Sequence, residues 1–217
     1  MSCSVVCLSG PDGSQMRAVA ASVTVTLGYS LVDEAIIMRA AADAGVDPQV
    51  VADVEKRRSF IDRVLGALTM SGDATAVVFT GGGGGYLPPE EHVSDELRNL
   101  IRMAIEETAD RGNVVIVAHA ASHALAGRED VLRVLVTASL ETRRAQVATE
   151  QGLSEKDAAK EVADSDANRA DYLRRFFGER EELPTQYDLV VNTDRLSIGA
   201  AAAVVAAAAA QPAPANA

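Results

Sequence analysis

The sequence predicts an α/β protein built on a doubly wound parallel sheet with helices on both faces. Patterns typical of strands alternate with patterns typical of helices along the chain. Two strand patterns, residues 113–118 and 131–137, are largely apolar runs without alternation, as expected for strands buried on both faces. The first strand pattern, residues 3–9, ends in a glycine turn that leads directly into a helix.

The individual elements follow from apolar runs, turn residues and helix caps. The strand patterns are short apolar runs between turn signals, and they cover residues 3–9, 29–32, 75–80, 113–118, 131–137 and 187–192. The helix patterns begin at capping residues or after turns, and they cover about residues 15–27, 33–44, 47–68, 94–111, 139 onward, 154–177 and 196–210. A capping box at Ser154 and Asp157 opens the long polar helix of this series.

These elements predict a single domain over residues 1–210, followed by a disordered tail at 211–217. Its least regular part is a run of glycines at residues 81–85, followed by two prolines. Ordering five glycines costs much conformational entropy, so we expect a mobile loop over residues 81–93. The alternative is a backbone that approaches a ligand or another subunit closely, and the sequence admits a homodimer.

The composition limits the classes of partner. A formal net charge of −11 argues against binding to nucleic acid or to an anionic membrane. A small anionic ligand is compatible with this charge if a few arginines share a cleft. Because the chain has only three lysines, phosphate recognition would depend on arginines and backbone amides. Because the chain has neither a leader pattern nor an apolar span, we expect a cytoplasmic protein. Cys3 and Cys7 are expected to be reduced core residues on one face of the first strand.

The turn after the first strand has the features of a phosphate-binding loop. It reads Ser9-Gly-Pro-Asp-Gly-Ser-Gln-Met-Arg17, in which glycines let the backbone fold around an anion and the next helix supplies free N–H groups. Aligned on Gly10 and Gly13, it has Gln15 at the last glycine of a Walker A motif, Met16 at the lysine and Arg17 at the Mg²⁺-binding hydroxyl. The alternative is a structural turn between a strand and a helix.

Several further segments resemble the cytidylate kinases. Asp33-Glu-Ala-Ile-Ile-Met-Arg39 matches a family segment in which an Asp lies six residues before an Arg at the acceptor site. Residues 115–120 fall where the family has a buried strand ending in Gly-Arg-Gly, although His119 departs from it. Residues 166–178 resemble the arginine-bearing lid, and residues 188–197 resemble the closing strand-to-helix segment. The chain thus resembles the cytidylate-kinase-like branch of the P-loop kinases from about residue 3 to 206.

The resemblance implies a three-layer P-loop NTPase-like fold with a helical lid at about residues 154–180. It further implies phosphoryl transfer from ATP, with Mg²⁺, to a small-molecule nucleotide such as CMP or dCMP. The implied site residues fall into three groups. The catalytic group is Asp33, Arg17 and Arg169. The donor-binding group is Gly10, Gly13, Ser14, Gln15, Met16 and Arg17. The acceptor-binding group is Asp33, Arg39, Arg174 and Arg175.

Each role has an alternative. Asp33 could be only a helix N-cap, and Arg39 could be a solvated helix residue. Arg174 and Arg175 could be surface residues of a charged helix. His119, at a strand end, could be a base or a structural histidine. Because Met16 and Arg17 replace the lysine and the hydroxyl of Walker A, the alternative function is a nucleotide-binding or regulatory protein that keeps the fold without catalysis. Activity on another phosphorylated metabolite is a third interpretation.

Overall fold

The computed structural model describes residues 3–33, 95–117, 121–179 and 182–211. Within these ranges the strands are β1 (Val5–Ser9), β2 (Ser30–Asp33), β3 (Val114–Val117), β4 (Val131–Thr137) and β5 (Leu189–Asn192). The helices are α1 (Met16–Leu27), α2 (Asp95–Arg111), α3 (Ala121–Ala124), α4 (Leu140–Gln151), α5 (Glu155–Phe177) and α6 (Ile198–Ala209).

The five strands form one parallel sheet in the order β2-β3-β1-β4-β5. α1 and α6 pack against each other and cover one face. The residues of this core are apolar and almost fully buried, among them Val6, Leu8, Val19, Val115, Val134 and Val205. α2 and α3 pack against β3 and β1 from the other side. The predicted fold class, a parallel sheet between layers of helices, is therefore confirmed.

The two cysteines are both free and buried, but they do not share a face. Cys3 lies before β1 and joins the core cluster of Val6 and Leu8, because the alternation of the strand holds only from Val5 onward. Cys7 alternates with Val6 and Leu8, and burial raises the pKa of its thiol to about 12. The prediction of a shared face is wrong, although both thiols are core residues as expected.

The caps explain where the later helices begin. The hydroxyls of Ser139, Ser154 and Ser197 accept hydrogen bonds from backbone N–H groups in the first turns of α4, α5 and α6. The short helix α3 and a 3₁₀ turn at Pro184–Gln186 were not predicted, because each is too short to show a period. Several predicted features lie outside the described residues, namely the helices at 33–44 and 47–68, the strand at 75–80, the loop at 81–93, His119 and most of the tail.

Nothing in the described segments of the chain combines the length and apolar character that a membrane-crossing helix needs.

Candidate functional site

The loop between β1 and α1 lies at the carboxyl end of the central strand of the sheet. Its chain turns through left-handed conformations at Gly13 (φ 78°) and at Gln15 (φ 60°), and α1 begins at Met16. In the described part of the chain, Gln15 at the N-cap position makes no side-chain capping hydrogen bond to α1. The first backbone N–H groups of α1 are therefore available to an anion, and the positive end of the helix dipole points in the same direction.

The two loop glycines are required by close packing. A Cβ at Gly10 would overlap the carbonyl oxygen of Val136 on β4. A Cβ at Gly13 would lie 2.8 Å from the Cα of Arg143 on α4, and the positive φ of Gly13 adds strain for any other residue. The loop is thus held between β4 and α4, so its backbone is fixed before any ligand arrives.

Ser14 carries a polar group with no partner in the described parts of the chain. The residue is 1% exposed, and its Oγ is buried without a hydrogen bond to any described residue. Its carbonyl, in contrast, accepts a hydrogen bond of 3.0 Å from the Thr193 hydroxyl. An unsatisfied buried hydroxyl costs about 1–3 kcal/mol. Its place in this loop makes it a donor that a bound phosphate oxygen could satisfy.

Arg17 and Asp33 form an ion pair next to the loop. The Arg17 guanidinium, on the first turn of α1, donates to Oδ2 of Asp33 at the carboxyl end of β2. The Arg17 side chain is 55% exposed and that of Asp33 is 16% exposed. Arg17 therefore points toward the end of the neighbouring strands. The pair joins two of the predicted site residues that are sixteen positions apart.

The side chains of Met16 and Gln15 contact the rest of the protein and, unlike Arg17, do not point toward the strand ends. Met16 is only 8% exposed and belongs to the core cluster under α1, so its side chain points away from the anion site. The Gln15 amide donates a 2.9 Å hydrogen bond to Gln146 on α4. Both side chains hold the loop against the rest of the protein. Among the described residues, the backbone N–H groups, Ser14 and Arg17 remain as hydrogen-bond donors for an anion at the loop.

Arg169, predicted as a lid arginine, is buried beneath the loop. Its guanidinium forms a bidentate ion pair with Glu182, at 2.8 and 2.5 Å, and donates a 3.0 Å hydrogen bond to the Ser9 hydroxyl. The Tyr187 hydroxyl donates to the same Glu182 carboxylate. The Arg169 side chain is 7% exposed. It thus connects α5 to the end of β1, and its catalytic role stays a prediction.

The pKa values in this cluster follow from burial and pairing. Burial alone would raise the pKa of Glu182, but the hydrogen bonds and positive charge of Arg169, with the Tyr187 hydroxyl, outweigh it and lower the pKa. Burial first, and then the charge of Glu182, raises the pKa of Tyr187 to about 12. The cluster therefore holds an ionised carboxylate, a guanidinium and a neutral phenol at neutral pH.

The remaining predicted residues are only partly described. Arg174 lies on the exposed side of α5, where its guanidinium pairs with Asp171. Arg175 belongs to the same helix, but its side chain lies outside the described part of the structure, as does Arg39 entirely. Their roles in acceptor binding stay predictions.

Arg143 and Glu182 are site neighbours that the sequence did not single out. Arg143 donates to the carbonyl oxygen of Asp12 in the loop and pairs with Asp166 on α5. No sequence signal separates it from the adjacent Arg144, because only the packing of α4 decides which of the two is buried. Glu182 likewise follows α5 in a polar segment in which burial is not predictable from the pattern.

The described residues around the loop do not form a metal site by themselves. Within the described ranges no three His, Cys, Asp or Glu side chains are grouped so that they could hold a metal ion. Arg17 occupies the position of the Walker A hydroxyl that binds Mg²⁺, and a guanidinium repels a cation. We therefore assign no step to a protein-bound Mg²⁺.

Comparison with known proteins places the chain in a protein family. The sequence model of the cytidylate kinase-like family matches residues 5–195. A protein of Pyrobaculum aerophilum named cytidylate kinase is 26% identical over 89% of this chain and 86% of its own length. One from Ignicoccus hospitalis with the same name is 38% identical over 42% of this chain, and the match spans 52% of that relative.

Solved structures show the same fold at low identity. The crystal structure of an uncharacterized protein from Eubacterium ventriosum aligns with a TM-score of 0.60 at 13% identity, covering 93% of this chain and 94% of that one. The crystal structure of TT1252 from Thermus thermophilus aligns with a TM-score of 0.50 at 18% identity, covering 94% of both chains. Since the family match extends over most of the chain and includes the loop, Asp33 and α5, the chain belongs to the cytidylate kinase-like family.

Proposed function

We propose that the protein transfers the γ-phosphoryl group of ATP to a pyrimidine nucleoside monophosphate of the CMP or dCMP type. The observation that carries the proposal is the phosphate loop with its buried Ser14 hydroxyl, which has no hydrogen-bond partner among the described residues. Such a loop is suited to a polyphosphate, because it is held by packing and, among the described residues, nothing pairs with its helix N-terminus or with the Ser14 hydroxyl. Family membership supports a kinase, and the names of the two relatives support the acceptor.

Phosphoryl transfer depends mainly on positioning and on neutralising charge at the transferring group. In our proposal the N–H groups at the start of α1 and the Ser14 hydroxyl bind the donor phosphates. Arg17 leaves Asp33 and turns toward the transferring phosphoryl group, while Asp33 orients the acceptor. By resemblance, Arg39 holds the acceptor phosphate, and Arg169, Arg174 and Arg175 act in the lid. Mg²⁺ enters with ATP, where it reduces the charge of the polyphosphate.

One observation favours the alternative of a catalytically inactive nucleotide-binding protein. The position of the Walker A lysine holds Met16, which is buried in the core, and the nearby Arg17 is engaged by Asp33. Losing one charge-neutralising group from such a site costs about 10²–10³ in rate. Catalysis therefore requires that Arg17 exchange Asp33 for phosphate.

Product analysis tests the proposal. The protein is incubated with ATP, Mg²⁺ and one monophosphate at a time from CMP, dCMP, UMP and AMP, and the nucleotides are separated by anion-exchange chromatography. We expect diphosphate from CMP or dCMP, and a loss of about 10²-fold or more in rate for Arg17→Met. Arg102→Met removes an exposed arginine from a helical pair with Glu106 and serves as the matched control with unchanged rate.

Saturable nucleotide binding without any diphosphate would support the inactive alternative. If the protein bound no nucleotide and formed no diphosphate with any of the four acceptors, both functions would be contradicted. An equal rate loss in Arg17→Met and Arg102→Met would show that Arg17 has no special role.

A further inference from the structure

α5 contacts the phosphate loop through a small network centred on Arg143. The Arg143 side chain is 8% exposed, and its Nε donates a 2.7 Å hydrogen bond to the carbonyl oxygen of Asp12. Its two terminal nitrogens pair with the carboxylate of Asp166 on α5, at 3.0 and 2.5 Å. All three guanidinium nitrogens are thus engaged by protein acceptors.

Two further contacts are made to the same turn of the loop. The Ser165 hydroxyl of α5 donates a 2.6 Å hydrogen bond to the Asp12 carboxylate. The backbone of Arg143 lies so close to Gly13 that no side chain fits there. Asp12 is therefore held through its carbonyl oxygen by Arg143 of α4 and through its carboxylate by Ser165 of α5.

We propose that Arg143 is a positioning residue for the donor phosphates. It orients the Asp12–Gly13 peptide, and it does so only while Asp166 of α5 fixes its guanidinium. Docking of α5 and the phosphate-binding shape of the loop are then coupled, so the loop is fully formed only when the lid-like helix is in place. The inference deepens the proposed function, because a loop that binds a polyphosphate donor is what Arg143 would position.

The buried, paired state of Arg143 argues against direct binding of phosphate. A guanidinium that makes a bidentate carboxylate pair and a carbonyl bond would lose these bonds to reach a ligand. The two roles predict opposite results when Asp166 is neutralised. A phosphate-binding arginine would be released and would bind the donor equally well or better, whereas a positioning arginine would lose its orientation and weaken donor binding.

The test uses two variants and one matched control. Asp166→Asn keeps the shape of the side chain and removes its charge, and Arg143→Lys keeps the charge and removes the planar fork. Asp188→Asn is the control, since Asp188 forms the same kind of bidentate pair with Arg133 at the start of β4 and β5, away from the loop. Each full-length protein is examined by hydrogen exchange of peptides covering residues 9–17 and by calorimetric titration with ATP·Mg²⁺ and with CMP.

We expect both variants to speed amide exchange in the loop by about fivefold and to weaken ATP·Mg²⁺ by a similar factor. CMP affinity and the control should not change. Unchanged loop exchange in Asp166→Asn would overturn the inference, as would faster exchange with full donor affinity. Should Arg143→Lys fail to fold, Asp166→Asn gives the result alone.

Hydrogen exchange separates this inference from the proposed function. If the wild-type protein binds no nucleotide but the loop exchanges faster in Asp166→Asn, the proposed function fails while the coupling between α5 and the loop stands. If the wild-type protein binds ATP·Mg²⁺ and the loop is insensitive to Asp166, the proposed function stands and the role of Arg143 fails.

Discussion

Arg169 and Glu182 form a buried ion pair that stabilises the end of β1, where the loop begins. Their side chains are 7% and 18% exposed. Arg169 also donates to the Ser9 hydroxyl, and Glu182 also accepts from the Tyr187 hydroxyl. Removing one member of a buried ion pair leaves the other charge uncompensated, which costs about 3–5 kcal/mol.

Glu182→Gln should therefore lower the free energy of unfolding at pH 7 by about 3 kcal/mol. The pKa of Glu182 is lowered in the folded state from its ordinary value of 4.5, so its contribution is present above that value and is lost as the pH falls through the folded-state pKa. The difference between wild type and variant should thus shrink under acid conditions.

Urea unfolding of both proteins between pH 3 and 7, followed by circular dichroism, measures this difference. Asp188→Asn is the control, because Asp188 is more exposed and should cost less at pH 7. A difference between wild type and Glu182→Gln that stays constant over the whole pH range would contradict the assignment of an ionised Glu182.

Residue-scale features were the least predictable from the sequence. The sequence indicated the loop, Arg17 and Asp33, because each lies beside a strand end that the apolar pattern locates. It did not indicate the Arg17–Asp33 pair or the burial of Arg143 and Arg169. These depend on which face of a helix meets the rest of the protein, and α4 and α5 are too polar for the pattern to show it.

At the scale of elements, the lid-like helix α5 rests on a small apolar contact. It spans 23 residues, begins at the Ser154 cap and ends at Gly178 in a left-handed conformation. Its packing on α4 uses the compact cluster of Val147, Ala158 and Val162. The start of this helix was predicted from its capping box and its end at about residue 177 from the helical pattern, whereas its packing partner was not predicted.

Val162→Ala should weaken this contact. Val162 is fully buried, and the loss of two methyl-sized groups with the resulting cavity should cost about 2 kcal/mol. Amides of residues 155–177 should exchange faster as α5 loosens. Val25→Ala is the matched control, since Val25 is 70% exposed and its truncation should cost little. Equal effects of the two substitutions, in unfolding and in exchange, would show that the cluster does not hold α5.

At the scale of the whole molecule, the sequence predicted the kind of sheet but not its order. Alternation of strands and helices favours parallel strands. The largely apolar runs at residues 113–118 and 131–137 contain β3 and β4. The order β2-β3-β1-β4-β5 depends on pairings between strands far apart in the chain, which no local pattern encodes. That order places the loop after β1 between its neighbours β3 and β4, at the centre of the sheet.

Because the whole molecule is acidic, binding of a polyphosphate depends on the groups at this loop. A chain with a net charge of −11 repels a polyphosphate unless local groups attract it. In our proposal these groups are the N–H groups of the loop, the Ser14 hydroxyl and Arg17 once it has left Asp33. Our account therefore depends on binding of the donor at the loop, with the buried Ser14 hydroxyl as a direct donor to phosphate.

Calorimetric titration of ATP·Mg²⁺ into wild type, Ser14→Ala and Ser122→Ala tests this claim most directly. Ser122 provides the matched control, because its hydroxyl is also buried without a hydrogen bond to any described residue but lies on α3. We predict saturable binding to wild type and Ser122→Ala, and an affinity about tenfold lower for Ser14→Ala with no loss of stability in the free protein. Equal affinities for wild type and Ser14→Ala, or no binding to wild type, would contradict the account.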